Sequence, residues 1–327
     1  MINLSDAKEE LNNYKGSEKK KTLFYDNKKY LVKFPDPVRE KNKNISYINN
    51  AFSEYVGSNI FELIGFNAQK TLLATYSYNE KEKIVCACED FTSSNNTLYE
   101  FESLALSLNT DKKIETELTD IIETIDSLEK SEKLKISVKE NIKDKFWDMF
   151  IVDALIGNTD RHNGNWGLLL NNDTMEASFA PIYDCGSCLN PLLDEKDIVA
   201  LSNTDIKNLA YNAYSCIKEN GKRINYMTFI KNMCNRDCNN AIKRVFNNIS
   251  LLSINNFIDG ISCMESVRKE FYKNIIKYRY DIISEVYNKL SRENEWKRSK
   301  KVLNEKSNNS MDNYINHDSW RINSYWF

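Results

Sequence analysis

Histidine, proline and glycine are scarce in this chain, at 2, 4 and 9 of 327 residues. The two histidines, His162 and His317, stand far apart, so the eight cysteines have no histidine pair to complete a zinc site. Cys185 and Cys188 form a lone CxxC, while Cys86 with Cys88 and Cys234 with Cys238 are merely close pairs. Reduced thiols, mostly buried, are expected instead. Net charge is missing too. Lys plus Arg number 45 against 47 for Asp plus Glu, a formal charge of -2, so no global field points to nucleic acid as a partner. Long apolar runs do not occur: the opening MINLSDAKEELNNYKGSEKKK lacks the core of a signal peptide, and no segment reaches membrane-spanning length. A soluble cytoplasmic protein is the expectation, with export lacking a cleavable signal left open. Few Gly and Pro beside abundant Asn, Lys and Tyr read as the base composition of the gene, without functional content.

What is present concentrates in residues 157–187, GNTDRHNGNWGLLLNNDTMEASFAPIYDCGS. Asp160, Arg161, His162 and Asn165 crowd a short polar loop, and Asp184 follows about a hairpin's length later. Two carboxylates and an amide so placed suit a divalent cation on a phosphorylated ligand. Phosphoryl transfer asks the protein for an orienting carboxylate near the attacking hydroxyl and for oxygen ligands that hold magnesium against phosphates. Asp160 suits the first task. Asn165 and Asp184 suit the second, because Mg2+ takes a few hard oxygens and completes its shell from nucleotide and water. The alternative is an Asx-rich turn between a helix and a strand. Apolar segments on both sides argue against it, since they would hold the loop rigidly in a packed domain. His162 reads as a packed loop histidine.

The string DRHNGN followed by YDCG resembles the catalytic and metal-binding loops of HipA-like serine/threonine kinases. It is also similar to the DRHxxN loop of phosphatidylinositol 3- and 4-kinases, where the later Asp opens a DFG-type triplet. Here the triplet is Asp184, Cys185, Gly186, and the missing aromatic is common to the HipA-like pattern. The resemblance implies an α+β, bilobal, protein-kinase-like fold with a small antiparallel-sheet N-lobe (residues 1–94) and a mainly helical C-lobe (95–327). It implies ATP and Mg2+ as cofactors, and a protein partner whose Ser or Thr hydroxyl receives phosphate. Asp160 is then catalytic, with Asn165 and Asp184 as nucleotide and magnesium ligands. The further N-terminal subdomain that HipA-like proteins often carry is not matched, so the resemblance leaves open whether a DNA-binding antitoxin pairs with this chain. Other readings are a lipid or small-molecule kinase, and a module that binds nucleotide without turnover.

Further elements flank this block. Residues 14–34 read as a loop and a hairpin turning at Asp26-Asn27. The loop, Gly16 to Lys21, could lie over phosphates, although its single glycine makes a poor glycine-rich loop. HipA-like kinases are similar in using a G-x-x-x-K segment, which Gly16, Ser17 and Lys20 fit; Ser17 is also a candidate for autophosphorylation. Lys33, at the end of an apolar strand, is placed to reach phosphates as the strand lysine of kinases does. A helix is predicted over 46–64 with Ser46 as N-cap and Gly65 at its end. Glu54 on it could pair with Lys33 or stand in solvent. Strands follow over 68–76 and 83–91. The second ends in Glu89, Asp90, Phe91, and the resemblance assigns the backbone of Glu89 and Phe91 to the adenine edge.

In the rear half, helices are predicted over 111–129 and 137–156. Asp153 falls on the apolar face of the latter, where a carboxylate needs partners; donors from the catalytic loop are expected. Residues 165–170 and 178–183 read as the hairpin between Asn165 and Asp184. After Pro191 helix is expected to about residue 296, then a charged helix end or linker over 291–310, then an aromatic-rich terminus, costly to expose.

Overall fold

The computed structural model describes residues 1–10, 20–35, 48–78, 81–108, 116–130, 137–138 and 141–318, the last 26 of these as backbone only. Strands β1 (Ile2–Asn3), β2 (Lys8–Glu10), β3 (Lys20–Tyr25), β4 (Lys28–Lys33), β5 (Thr71–Tyr78) and β6 (Lys81–Glu89) form one sheet in the order β1-β5-β6-β4-β3-β2. All neighbours pair antiparallel except β1 on β5. The expected hairpin is β3–β4. Its turn residues Asp26 and Asn27 have φ of 47° and 58°, the left-handed pair whose twist suits two short strands. Leu23, Tyr30, Val32, Phe34, Val85 and Ala87 build a small core on one side of the sheet. Cys86 and Cys88 alternate with the last two and face the opposite side, where they meet Ala51 and Tyr55 of helix α1 (Asn50–Ile64).

Helix α1 ends at Gly65, whose φ of 98° lets the chain turn off the helix. The expected N-cap, Ser46, lies outside the described residues, and the helix starts after Asn49 without a side-chain cap. Gly57, in mid-helix, is a matter of space. A Cβ there would stand 2.7 Å from Cys185 Cβ and 2.9 Å from Cys188 Sγ. The helix therefore passes in van der Waals contact with the segment after Asp184, and small side chains on both sides permit it.

The remaining chain is mainly helical: α2 (Phe101–Leu108), α3 (Leu118–Lys130), α4 (Ile142–Ile156), α5 (Glu195–Ala200), α6 (Asn203–Tyr211), α7 (Tyr226–Asn232), α8 (Arg236–Val245), α9 (Leu251–Asp259) and α10 (Ser266–Asp318). A four-stranded sheet, β7 (Asn96–Glu100), β8 (Ser137–Val138), β9 (Gly167–Asn171) and β10 (Glu176–Phe179), is ordered β7-β9-β10-β8. At the centre lies α4. Beyond the expected stripe of Ile142, Phe146, Met149, Phe150 and Ile156, it also buries Trp147, Ile151, Val152, Ala154 and Leu155, as a helix enclosed on every side does.

Three expectations are corrected here. The helix read over 137–156 begins only at Ile142, after Asn141, whose side chain accepts the Asp144 N–H; Ser137 and Val138 are instead a strand parallel to β10. The helical run after Pro191 is interrupted by a hairpin, β11 (Tyr214–Glu219) and β12 (Lys222–Asn225). Its turn is Asn220-Gly221, at φ 54° and 75°, a strong local hairpin signal outvoted by the helical pattern around it. The charged stretch 291–310 is neither linker nor helix end, for the backbone of α10 runs through it to Asp318. Among the described residues, no helix is long and apolar enough to cross a membrane.

Candidate active site

Three distant segments meet at Lys33. It ends β4, Glu54 comes from α1, and Asp184 follows β10 after a short connection. Lys33 Nζ donates to Glu54 Oε2 at 2.7 Å and to Asp184 Oδ1 at 2.6 Å. Glu54 is wholly buried and Lys33 is 4% exposed, whereas Asp184 keeps 32% of its side chain open. The other Glu54 oxygen accepts the Cys185 N–H at 3.1 Å. Between the two readings of Glu54 the fold chooses the pair: an ionised carboxylate removed from water needs a cation beside it. Burial works to raise the Asp184 carboxyl, yet the charge and hydrogen bond of Lys33, with Lys20 and Arg161 farther off, hold it well below the usual carboxylate range. Lys20 stands opposite Lys33 in the β3–β4 ladder.

The DRHNGN loop is built over a second charge pair. Arg161 and Asp153 are each 1% exposed, and Arg161 Nε and Nη2 reach the two Asp153 oxygens at 2.9 and 3.1 Å. Asp153 also accepts from Asn158 Nδ2 at 3.1 Å. The carboxylate on the apolar face of α4 thus has the loop donors that its burial demanded. Arg161 Nη1 continues to the carbonyls of Asn165, at 2.9 Å, and of Tyr183. One guanidinium therefore ties the DRHNGN loop to the residue before Asp184. Gly157, at φ 66°, turns the chain from α4 into this loop, and the Arg279 guanidinium fills the space that a Cβ there would need.

Asp160 itself is exposed. Burial of its inner side still pushes its carboxyl above the ordinary value, with Asp184 adding to the rise and His162, Arg223 and Arg161 opposing it. His162 accepts the Gly164 N–H through Nδ1 at 3.0 Å, as a packed loop histidine would. Asn165 donates from Nδ2 to the Asp160 carbonyl at 2.8 Å. That bond orients the amide and leaves Oδ1 as its acceptor.

A cavity of about 360 Å³ opens beside these groups. Lys20, Lys33, Asn165 and Asp184 supply polar lining, and Leu31, Leu98 and Phe91 supply apolar lining. Asp160 lies just outside that lining. Glu89 turns its carboxylate to Lys28 at 2.8 Å, its N–H donates to the Lys70 carbonyl, and its own carbonyl accepts from Gln69 Nε2 at 2.9 Å. Phe91 packs against Tyr183 with ring centroids 5.9 Å apart. Gly16 and Ser17 lie outside the described residues. A second cavity, about 440 Å³ between α6 and α10, contains none of this acid and amide set.

The donors left over fit magnesium on a nucleotide. Asn165 Oδ1 and the Asp184 oxygen not taken by Lys33 are hard oxygens on residues that line the cavity. Among the described residues no three His, Cys, Asp or Glu gather for a metal, so an ion held here would draw its other ligands from phosphates and water. Gln69 and Arg223 are site neighbours that sequence reasoning missed. Gln69 carries no local signal, while Arg223 could have been found through the Asn220-Gly221 turn.

Known proteins share this fold. The model of the HipA-like C-terminal domain matches residues 13–250. Serine/threonine-protein kinase CtkA of Helicobacter pylori strain J99 is 41% identical over 273 residues, covering 81% of this chain and 80% of the relative. The crystal structure of the Helicobacter pylori proinflammatory kinase CtkA has a TM-score of 0.76 to this fold at 34% identity, and the match covers 89% of this chain and 98% of that one. The fold is accordingly the bilobal, protein-kinase-like one, with a sheet-built N-lobe and a mainly helical C-lobe. By the extent of these matches the chain belongs to the HipA-like C-terminal domain family.

Proposed function

We propose that this protein is a serine/threonine protein kinase that transfers the terminal phosphoryl group of ATP to a protein hydroxyl, with residues 1–94 and 95–327 as its two lobes. The observation that carries this reading is the double contact of Lys33. One cation, bonded to a helix glutamate behind it and to the loop aspartate in front, is the arrangement that holds nucleotide phosphates in kinases. The relationship to a kinase of known class over most of the chain supports it.

In this reading Lys33 and Lys20 meet the phosphates, and Asn165 and Asp184 hold the magnesium ion. When bound, the ion neutralises charge on the phosphate oxygens. Asp160 accepts the hydroxyl proton or orients the hydroxyl for in-line attack, and its raised carboxyl suits a group that takes a proton late in transfer. The adenine edge is met by backbone at Glu89 and Phe91. The Glu89 carbonyl retains a second lone pair beyond its bond to Gln69, and the Phe91 N–H has no partner among the described residues. Gly16 and Ser17 belong to the phosphate loop in this reading, with Ser17 as the self-modified residue.

Labelled ATP and a generic basic protein test the reading directly. Asp160→Ala and Asp184→Ala should each reduce transfer by roughly 10²- to 10⁴-fold, and intact mass should show one added phosphate on wild type and none on Ser17→Ala. Undiminished transfer in both Asp variants would mean that the chemistry is centred elsewhere.

A further inference from the structure

The catalytic loop is gripped by two arginines, and only one of them belongs to the DRHNGN string. From the inside, Arg161 holds the carbonyls of Asn165 and Tyr183. From the outside, Arg223 of β12 holds the carbonyl of Thr159, the peptide that leads into Asp160, through Nη2 at 2.7 Å. The same guanidinium is rooted on β11, with Nη2 at 3.1 Å from the Tyr214 carbonyl and Nε at 2.8 Å from the Ser215 carbonyl.

The irregular pairing of β11 explains why those two carbonyls are available. The register shifts between Tyr214 and Lys218, and a bulge leaves backbone groups without ladder partners. Arg223 takes them up. Its side chain is thereby fixed at an exposed position where an arginine would ordinarily wander, and it forms no ion pair with a carboxylate among the described residues. Its charge nevertheless bears on Asp160. Further bonds hold the Asp160 neighbourhood: the Asp160 N–H to Asn158 Oδ1 at 3.2 Å, the Thr159 hydroxyl to the Ser187 carbonyl at 3.3 Å, and the Tyr226 hydroxyl of α7 to the Asn158 carbonyl at 2.7 Å. Tyr226 thus braces the start of the loop, and Arg223 braces the Thr159 carbonyl, one peptide nearer to Asp160.

We propose that Arg223 is a positioning residue of the catalytic loop: planted on the bulged β11 strand, it fixes the Thr159 peptide and so the place where the Asp160 carboxylate meets the substrate hydroxyl. This rests on the reading of Asp160 given above. Loss of the strut should lower turnover without weakening nucleotide binding, because none of its bonds reaches Lys33, Asn165 or Asp184.

The experiment compares wild type, Arg223→Ala and Arg223→Lys for kcat, ATP affinity, thermal midpoint, and amide hydrogen exchange over residues 159–162. In Arg223→Ala kcat should fall by about tenfold to a hundredfold, the scale of loss that a misplacement of order 1 Å brings. ATP affinity should stay within about twofold, loop exchange should quicken, and added guanidinium ion should restore part of the rate. Arg223→Lys should fall between the two, since an ammonium cannot span the three carbonyls at once. A kcat for Arg223→Ala within twofold of wild type would overturn the proposal. So would a loss matched by weaker ATP binding or a lower folded fraction and not relieved by guanidinium. If Arg223→Ala does not fold, Arg223→Lys and Arg223→Gln carry the same comparison. Should wild type bind ATP and transfer nothing, the kinase reading falls by itself, and loop exchange still decides whether Arg223 holds Thr159.

Discussion

Two charge clusters sit close together in this molecule, and they are built differently. Asp153 and Arg161 are matched one to one, both 1% exposed, with their remaining hydrogen-bonding capacity spent on loop backbone and Asn158. Lys33 instead serves two carboxylates, one buried and one 32% open, with exposed Asp160 nearby. The first cluster is closed. The second has carboxylate oxygens turned to a cavity that Lys20 and Lys33 also line, the condition in which a site attracts a cation and, with it, a phosphorylated ligand. A buried pair can thus serve as a floor, while an unbalanced one beside it is the cluster to which the proposed function assigns the chemistry.

The largest effect that would sharpen this contrast is on stability. Arg161→Met leaves Asp153 buried without its cation, a loss of about 3 to 5 kcal/mol, or a fall of roughly 10 °C in thermal midpoint for a chain of this size. Asp184→Asn, with Lys33 still bonded to Glu54, should leave the midpoint within a few degrees while cutting transfer by roughly 10²- to 10⁴-fold. Calorimetry on the two proteins checks this, and equal midpoints would erase the distinction between floor and site.

A smaller effect is expected behind Lys33. Glu54→Gln exchanges a charge-assisted bond for a neutral one, a difference of about 1.5 kcal/mol, so transfer should drop roughly tenfold with the fold retained. A rate equal to wild type would mean that Asp184 alone sets the lysine.

The smallest concerns acid. Since Asp184 is held below the ordinary carboxylate range in the folded protein, its ionised form stabilises the fold above the unfolded value of about 3.9. That contribution is lost as pH falls through the folded value. In metal-free urea titrations below pH ~4, wild type should therefore lose stability more steeply than Asp184→Asn. Parallel slopes would mean that Lys33 does not hold Asp184 in solution as it does in the fold.

Much of this was legible residue by residue. Asp26-Asn27 marked a hairpin, Gly65 a helix end, and Asp153 a buried acid awaiting donors, because each of these signals is local and has one cheap solution. The hairpin of β11 and β12 was missed although Asn220-Gly221 marks it, since the surrounding periodicity favours helix. Ser137 and Val138 likewise joined the wrong element, for two residues gain strand character only by lying beside β10. Glu54 could be weighed but not decided. Its role depends on Lys33 arriving from a separate strand.

What the sequence determined alone is the chemistry on offer: a loop with Asp160 and Asn165, a later Asp184, a lysine closing an apolar strand, and the turns that connect them. Short-range sterics and hydrogen bonding set those features within a few residues. Tertiary structure alone decided which charges meet. Lys33 is bonded to Glu54 and Asp184, 21 and 151 positions away, and Arg223 reaches Thr159 across 64. A buried ion must find its counter-charge wherever packing brings one, and packing over such distances is a property of the whole chain.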